Sequence, residues 1–322
     1  MSEPRLTIGI PTHGRAERCA TAISSALWQD KPARVIVSDD SDGDDIERLC
    51  HQYREHPLVT YTRSNATTLW GNWRNVAKLA VASEATFFSW LQDDDVIGKW
   101  FCRRVVGAFD RYPAALTYCT SLISAYNNML GDRSRGNQGP RLALDHLFGN
   151  PVTFDGKLLV PIGYVDAWAM APAKAFRVGR TFEAMLDALP DHCDLLTEVL
   201  DIAYMGCHGR AIADPQFAGY WMFHDANESV MRNKEGKAKE EVPIAWAFLD
   251  SLMDDLHDWR QVLNSWIAFM GMTDVLEAYK KVLDERPGLS VYADQINEMF
   301  TEVLDLRKAK VASDANGVAV IG

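Results

Sequence analysis

The sequence has little to offer a bilayer interior, an oxidising compartment or a nucleic acid. No apolar run approaches the ~20 residues that a membrane-crossing helix needs, so any membrane contact is expected to be peripheral. The six cysteines, Cys19, Cys50, Cys102, Cys119, Cys193 and Cys207, are scattered and form no CxxC pair. That spacing reads as reduced thiols in a cytoplasmic protein rather than as a disulfide framework or a zinc site. Positive charge is in short supply: 33 Lys and Arg stand against 44 Asp and Glu, for a net charge of -11 and a pI of about 5.2. Such a chain repels nucleic acid and anionic lipid at long range, although a local metal or helix N-terminus can still hold a nucleotide. Neither GxGxxG nor GxxxxGK[ST] occurs, which removes the Rossmann dinucleotide fingerprint and the P-loop. The opening MSEPRLTIGIPTHGR carries an acid early and enters a strand at once, unlike a secretory signal.

What is present is an ordinary globular balance, 48% hydrophobic and 24% charged, over 322 residues. That length suits one large α/β domain, or one domain with a smaller partner. Strand and helix patterns alternate through the first part. Strands are predicted at 6–11, 34–38, 58–62, 86–91 and 115–124, with helices at 15–28, 46–53, 72–82 and 99–112. Residues 132–140 read as a polar, Gly-rich loop, 167–178 as a strand leading into a short helix, and 191–205 as a helix. Strands are expected again at 211–213 and 217–223. A charged linker is expected at 234–241, then an almost wholly helical stretch over 244–310. The expected division is therefore a domain at 1–233 and a helical C-terminal region at 234–322.

Repeated βα units imply a mostly parallel sheet flanked by helices. Ligands of such sheets bind beyond the carboxyl ends of the strands. Three predicted strand ends carry conspicuous polar segments: Pro11-Thr12-His13-Gly14-Arg15, Asp39-Asp40-Ser41-Asp42 and Gln92-Asp93-Asp94-Asp95. Carboxylates packed this closely raise one another's pKa unless a cation sits among them, and hard oxygen ligands suit Mg2+ or Mn2+. Equally, such acids can be a solvated loop that caps the next helix. Arg15 with the backbone beside it could cradle a phosphate, and Asp40 could accept from the ring N–H of uracil or thymine. Asp191 and Asp194 read most simply as cap and first-turn acids of a helix, with Asp194, Glu198 and Asp201 along one solvated face.

Taken together, LTIGIPTHGR, VIVSDDSDGDD and NVAKLAVASEATFFSWLQDDD resemble the inverting family 2 glycosyltransferases of the GT-A fold. The resemblance spans about residues 5–230, is stronger in the first half, and includes Arg74-Asn75 at the place of the family's Arg-Asn pair. It implies a donor pocket for a nucleotide-diphosphate sugar, of UDP or dTDP type, lined by Pro11, Thr12 and Arg15. Asp40 would meet the base with Asp39 nearby, Arg74 would approach the diphosphate, and Asp93 and Asp94 would lie by the ribose or sugar. Asp95, with His224 of the closing Tyr220–Asp225 segment, would hold Mn2+ or Mg2+. Asp194 would be the general base that takes a proton from an acceptor hydroxyl on a glycan, a lipid-linked sugar or another alcohol. Three departures stand out. His13-Gly14 replaces Tyr-Asn, and Gln92 occupies the place of the commonest first Asp, which leaves open which two of Asp93, Asp94 and Asp95 form the metal pair. Cys193 replaces the acid expected beside Asp194. These departures leave room for a catalytically inactive nucleotide-sugar-binding protein of the same fold. A transferase acting on modified nucleic acid is a further alternative, through Arg133–Arg141. The C-terminal helices are expected to bind acceptor, partner or a second copy of the chain.

Overall fold

The computed structural model describes residues 3–126, 137–138, 151–156, 174–191, 193–194, 197–223 and 237–252. The first of two compact units runs through Leu252; the second, 253–322, lies outside the described residues.

The chain opens with β1 (Leu6–Thr12), α1 (Ala16–Leu27), β2 (Arg34–Asp39), α2 (Asp45–His51), β3 (Val59–Arg63), α3 (Leu69–Ala82) and β4 (Phe87–Trp90). β1 pairs in parallel with β2 on one side and β4 on the other, and β2 pairs in parallel with β3. Buried on both faces, β1 is apolar throughout apart from its threonines. α1 covers the sheet with Cys19, Ala22, Ile23 and Ala26, the i, i+3, i+4, i+7 spacing of one helical stripe. α3 starts at Leu69, three residues before its apolar periodicity becomes visible, because Thr68 caps it by accepting the Gly71 N–H at 2.9 Å. Beneath α3 the indole N–H of Trp90 donates to Trp73 O at 3.1 Å, and Phe88 meets Trp90 edge-on at 4.9 Å between centroids.

β5 (Val96–Ile97), α4 (Phe101–Arg111), β6 (Ala115–Tyr126), β7 (Asn137–Gln138), β8 (Val152–Asp155), β9 (Lys174–Arg177), α5 (Arg180–Ala188), α6 (Thr197–Cys207), β10 (Arg210–Phe223) and α7 (Lys237–Ser251) follow. The sheet order is β3-β2-β1-β4-β9-β6-β10-β5, with β7 added to β6 and β8 to β10. β9 runs antiparallel between β4 and β6, so a parallel half joins a mixed half, the mostly parallel α/β arrangement of the GT-A type.

Four sequence expectations change. Within 167–178, residues 174–177 are strand, and the helix that follows starts at Arg180, beyond the expected span. The helix expected from Asp191 begins at Thr197, because Asp191 is engaged by Arg74 instead. The two strands expected at 211–213 and 217–223 are one strand, β10, with register shifts between Ala213 and Gly219. Residues 237–241, expected as linker, open α7, which packs on α6 and buries Ala245 and Leu249 within the first unit. Most of the polar loop expected at 132–140 lies outside the described residues; its residues 137–138 are β7.

Candidate active site at the strand ends

β1, β2 and β4 are parallel, so their carboxyl ends open on one rim, and the three polar segments stand there. Gly14 turns the chain from β1 into α1 at φ +65°, a backbone region that glycine enters without strain. Its N–H donates to Ser41 Oγ at 2.6 Å, while Asp40 N–H donates to Thr12 O at 3.2 Å. The first two loops are thereby tied together.

The third loop joins through its acids. Thr12 Oγ1 donates to Asp93 Oδ2 at 2.7 Å. Arg15 Nε donates to the same oxygen at 3.2 Å, Nη2 lies 2.6 Å from Asp93 Oδ1, and Nη1 donates to Asp94 Oδ2 at 2.9 Å. All three aspartates are buried, Asp95 completely. Burial pushes the Asp93 carboxyl up to about 6 against the opposing pull of Arg15, with the Asp94 charge adding to the rise. The run is held in register from behind. β5 follows Asp95 directly and pairs antiparallel with β10 at Gly219 and Tyr220. A Cβ at Gly219 would sit 2.0 Å from Val96 O, so only glycine permits that approach.

Asp39 and Asp40 divide their work. Asp39 is fully buried; it accepts from Tyr61 Oη at 2.8 Å, from Ser41 N–H at 2.9 Å and from Arg63. It fixes the loop. Asp40 is half-buried, its carboxyl raised by that burial and partly offset by His13, whose Nδ1 lies 3.2 Å from Asp40 Oδ1. Asp40 is the acid of the two that remains on the rim, and Pro11 is buried at the end of β1 beside it.

Arg74 and Asp194 come together at another place, the N-terminal end of α3. Asp194 Oδ1 accepts the Trp70 N–H at 2.9 Å, where the helix dipole favours a carboxylate. Arg74 donates to Asp191 Oδ1 at 2.7 Å and to Leu189 O at 2.9 Å, with its guanidinium 5.2 Å from the Trp70 ring centroid. In this arrangement Arg74 fixes the segment leading to Asp194. The expected solvated stripe of Asp194, Glu198 and Asp201 is absent: Asp194 precedes α6, Glu198 accepts from Gln92 Nε2, and Asp201 is fully buried. Lys174 on β9, also fully buried, donates to Asp201 Oδ1 at 2.8 Å and to Glu198 O. Burial raises the Asp201 carboxyl to about 7, opposed by Lys174. His224 lies outside the described residues.

Sequence reasoning missed a buried amide cluster under the rim. Ser38 Oγ donates to Asn72 Oδ1 at 2.6 Å, and Asn75 Nδ2 donates to Ser38 Oγ at 2.9 Å. Asn72 Nδ2 reaches Ser38 O at 3.0 Å and Thr12 O at 3.4 Å, so one side chain joins the ends of β1 and β2 to α3. The signal was present, since Asn72 and Asn75 are three apart and share a helix face.

Among the described residues no three His, Cys, Asp or Glu side chains converge into a complete metal cage. The chemistry of the donor set nevertheless suits a hard cation: of three buried carboxylates in succession, Asp93 and Asp94 share the Arg15 guanidinium, and Mg2+ or Mn2+ is commonly held by one or two carboxylates with water and substrate phosphates.

Comparison with known proteins bears on the fold. Residues 7–158 match the model described as Glycosyl transferase family 2. A crystal structure of S. aureus TarS 1-349 superposes with a TM-score of 0.52 at 17% identity, over 95% of this chain and 92% of that one. The same protein in complex with UDP-GlcNAc gives 0.52 at 15% identity, over 98% and 93%. A longer TarS structure gives 0.51 at 18% identity, over 93% of this chain and 54% of that one. Comparison with curated protein sequences found no match. Residues 7–158 thus carry the match to glycosyl transferase family 2, and the sheet built on them is of the GT-A type.

Proposed function

We propose that the protein transfers a sugar from a UDP-linked donor to an acceptor hydroxyl, with inversion at the anomeric carbon. The observation that carries the reading is the junction of three strand ends at Arg15: Thr12 and Arg15 from the first, Asp40 from the second, and Asp93 and Asp94 from the fourth strand. A fold match to a protein solved with UDP-GlcNAc supports uridine over thymidine as the base. Asp40, steadied by His13, accepts from the base N–H, and Thr12 and Arg15 line the nucleotide pocket beside Pro11. Asp93 and Asp94 face the ribose and sugar.

Asp194 is the general base. It takes the proton of the acceptor hydroxyl as the oxygen bonds to the anomeric carbon and the bond to the diphosphate breaks, releasing UDP. Arg74 holds the Asp191–Asp194 segment in place, and exchange of Asp191 for phosphate would let it meet the diphosphate. Asp95, together with His224, would hold Mn2+ or Mg2+. Bound there, the cation supplies positive charge against the departing diphosphate.

The test is UDP release from a panel of UDP and dTDP sugars, with and without Mn2+, for the wild type and Asp194→Asn. Turnover with a UDP sugar, lowered by about 10²–10⁴ in the variant, is expected. Wild-type turnover in Asp194→Asn contradicts the base assignment. Absence of release with every donor, despite UDP binding, would favour a binding protein.

A further inference from the structure

Three large hydrophobic side chains are exposed among the described residues, Trp28 at 67%, Trp100 at 59% and Ile244 at 37%, and the two indoles belong to one surface. Trp28 follows the last turn of α1 and Trp100 precedes the first turn of α4. Their segments are stitched together. Asp30 N–H donates to Lys99 O at 3.0 Å, and Gln29 Nε2 donates to Gly98 O at 3.0 Å. Gln29 Oε1 accepts Cys102 N–H at 3.1 Å, and Arg103 Nε lies 3.0 Å from Asp30 Oδ2. Lys99 Nζ sits 5.4 Å from the Trp28 ring centroid. The tryptophans are therefore held outward on a fixed frame. Neither is needed by the core, because α1 packs through Cys19, Ala22, Ile23 and Ala26 and α4 through Phe101, Cys102, Val105 and Phe109.

The charge around them runs against that of the whole chain. Lys31, Lys99, Arg103 and Arg111 are exposed, and Trp100, Arg103, Gly107 and Arg111 follow one face of α4. The nearby acids are already paired, Asp30 with Arg103 and Asp110 with Arg5 at 2.8 Å. Elsewhere the chain is acidic, with a net charge of -11.

We propose that this face, Trp28 and Trp100 ringed by Lys31, Lys99, Arg103 and Arg111, docks the protein on an anionic lipid bilayer. Indoles seat at the headgroup level, with an apolar ring and a polar N–H, and flanking cations add attraction to anionic lipid. The remaining acidic surface is repelled by the same bilayer, so the protein approaches it in one orientation. α1 is 12 residues and about 18 Å long, running from Arg15 at the rim to Trp28 at the bilayer contact. The reading does not depend on the proposed sugar transfer.

The experiment is co-sedimentation of the full chain with vesicles of phosphatidylglycerol and phosphatidylcholine in equal parts, and with phosphatidylcholine alone. The wild type is expected to partition onto the anionic vesicles only, and less so at high salt. W28A/W100A and K31E/K99E should each lower that partition by about tenfold or more, with W28F/W100F retaining part of it. Circular dichroism confirms that each variant is folded, as exposed positions allow. Absence of wild-type partition, or partition indifferent to both double variants, overturns the proposal. Retention on inorganic polyphosphate but on no vesicle also overturns it, in favour of a soluble polyanion.

Discussion

In the half of the sheet built from β3, β2, β1 and β4, carboxylates stand at strand ends and share the guanidinium of Arg15. In the half built from β9, β6 and β10, they are sunk in the core, each against its own cation: Asp201 with Lys174, and Asp214 with Arg104 while Tyr118 Oη donates to it at 2.6 Å. The same residue type thus does two jobs. At the rim two buried carboxylates, Asp93 and Asp94, share one guanidinium. In the core the charge is matched one to one and joins helix to strand: Lys174–Asp201 ties α6 to β9, and Arg104–Asp214 ties α4 to β10. The two halves meet at Gln92, next to the rim acids, which donates to Glu198 of α6.

The largest effect should come from breaking a matched core pair. Lys174→Met leaves Asp201 buried without its cation and should cost about 3–5 kcal/mol of stability, measured by urea unfolding. The double variant K174M/D201L should recover most of that loss, since an apolar pair of similar volume often equals or exceeds a buried ion pair. A loss below about 1 kcal/mol in Lys174→Met would show that the core pair is not matched as described.

Next in size is Asn72→Ala, under the rim. It removes the amide that joins Ser38, Thr12 and α3, and a cost of about 1–3 kcal/mol is expected from the buried groups left unsatisfied. Nucleotide affinity should fall with it, because the ends of β1 and β2 lose their common strut. Unchanged affinity in a destabilised Asn72→Ala would separate the strut from the site.

A further comparison is a pH trend of opposite sign in the two readouts. Asp93 is raised to about 6 and Asp201 to about 7, so the folded state holds protons that the unfolded chain has released. Both groups make stability fall as pH rises from about 4 to about 7, and level off above that. Binding of a metal–nucleotide complex should instead strengthen as pH rises through 6, because Asp93 must be a carboxylate to contribute. Thermal unfolding scans and binding titrations over that range test both slopes, and Asp201→Asn should flatten the upper part of the stability curve alone.

Much of the parallel half was legible in the sequence. Each of its strands and helices has its own hydrophobic period and breaker, and its polar residues cluster at predicted strand ends. The mixed half was less so, because its elements depend on distant partners. β5 is two residues long and exists through its pairing with Gly219 and Tyr220. Lys174 looks like any charged residue until Asp201 is placed against it. The start of α7 reads as a linker because its charges precede the apolar residues that dock it on α6. Within the site, Thr12, Arg15, Asp93 and Asp94 were all singled out and meet. Arg74 was singled out too, but its engagement with Asp191 and Leu189 O depends on a loop that sequence spacing could not position.

As proposed above, the rim acids would bind a nucleotide together with a divalent cation. Calorimetric titration of UDP into the wild type and Asp95→Ala, with and without Mn2+, tests it most directly. The account predicts binding that requires Mn2+ and weakens by at least about tenfold in Asp95→Ala, a change of about 1.4 kcal/mol. Equal, metal-independent affinity in the two proteins would contradict it.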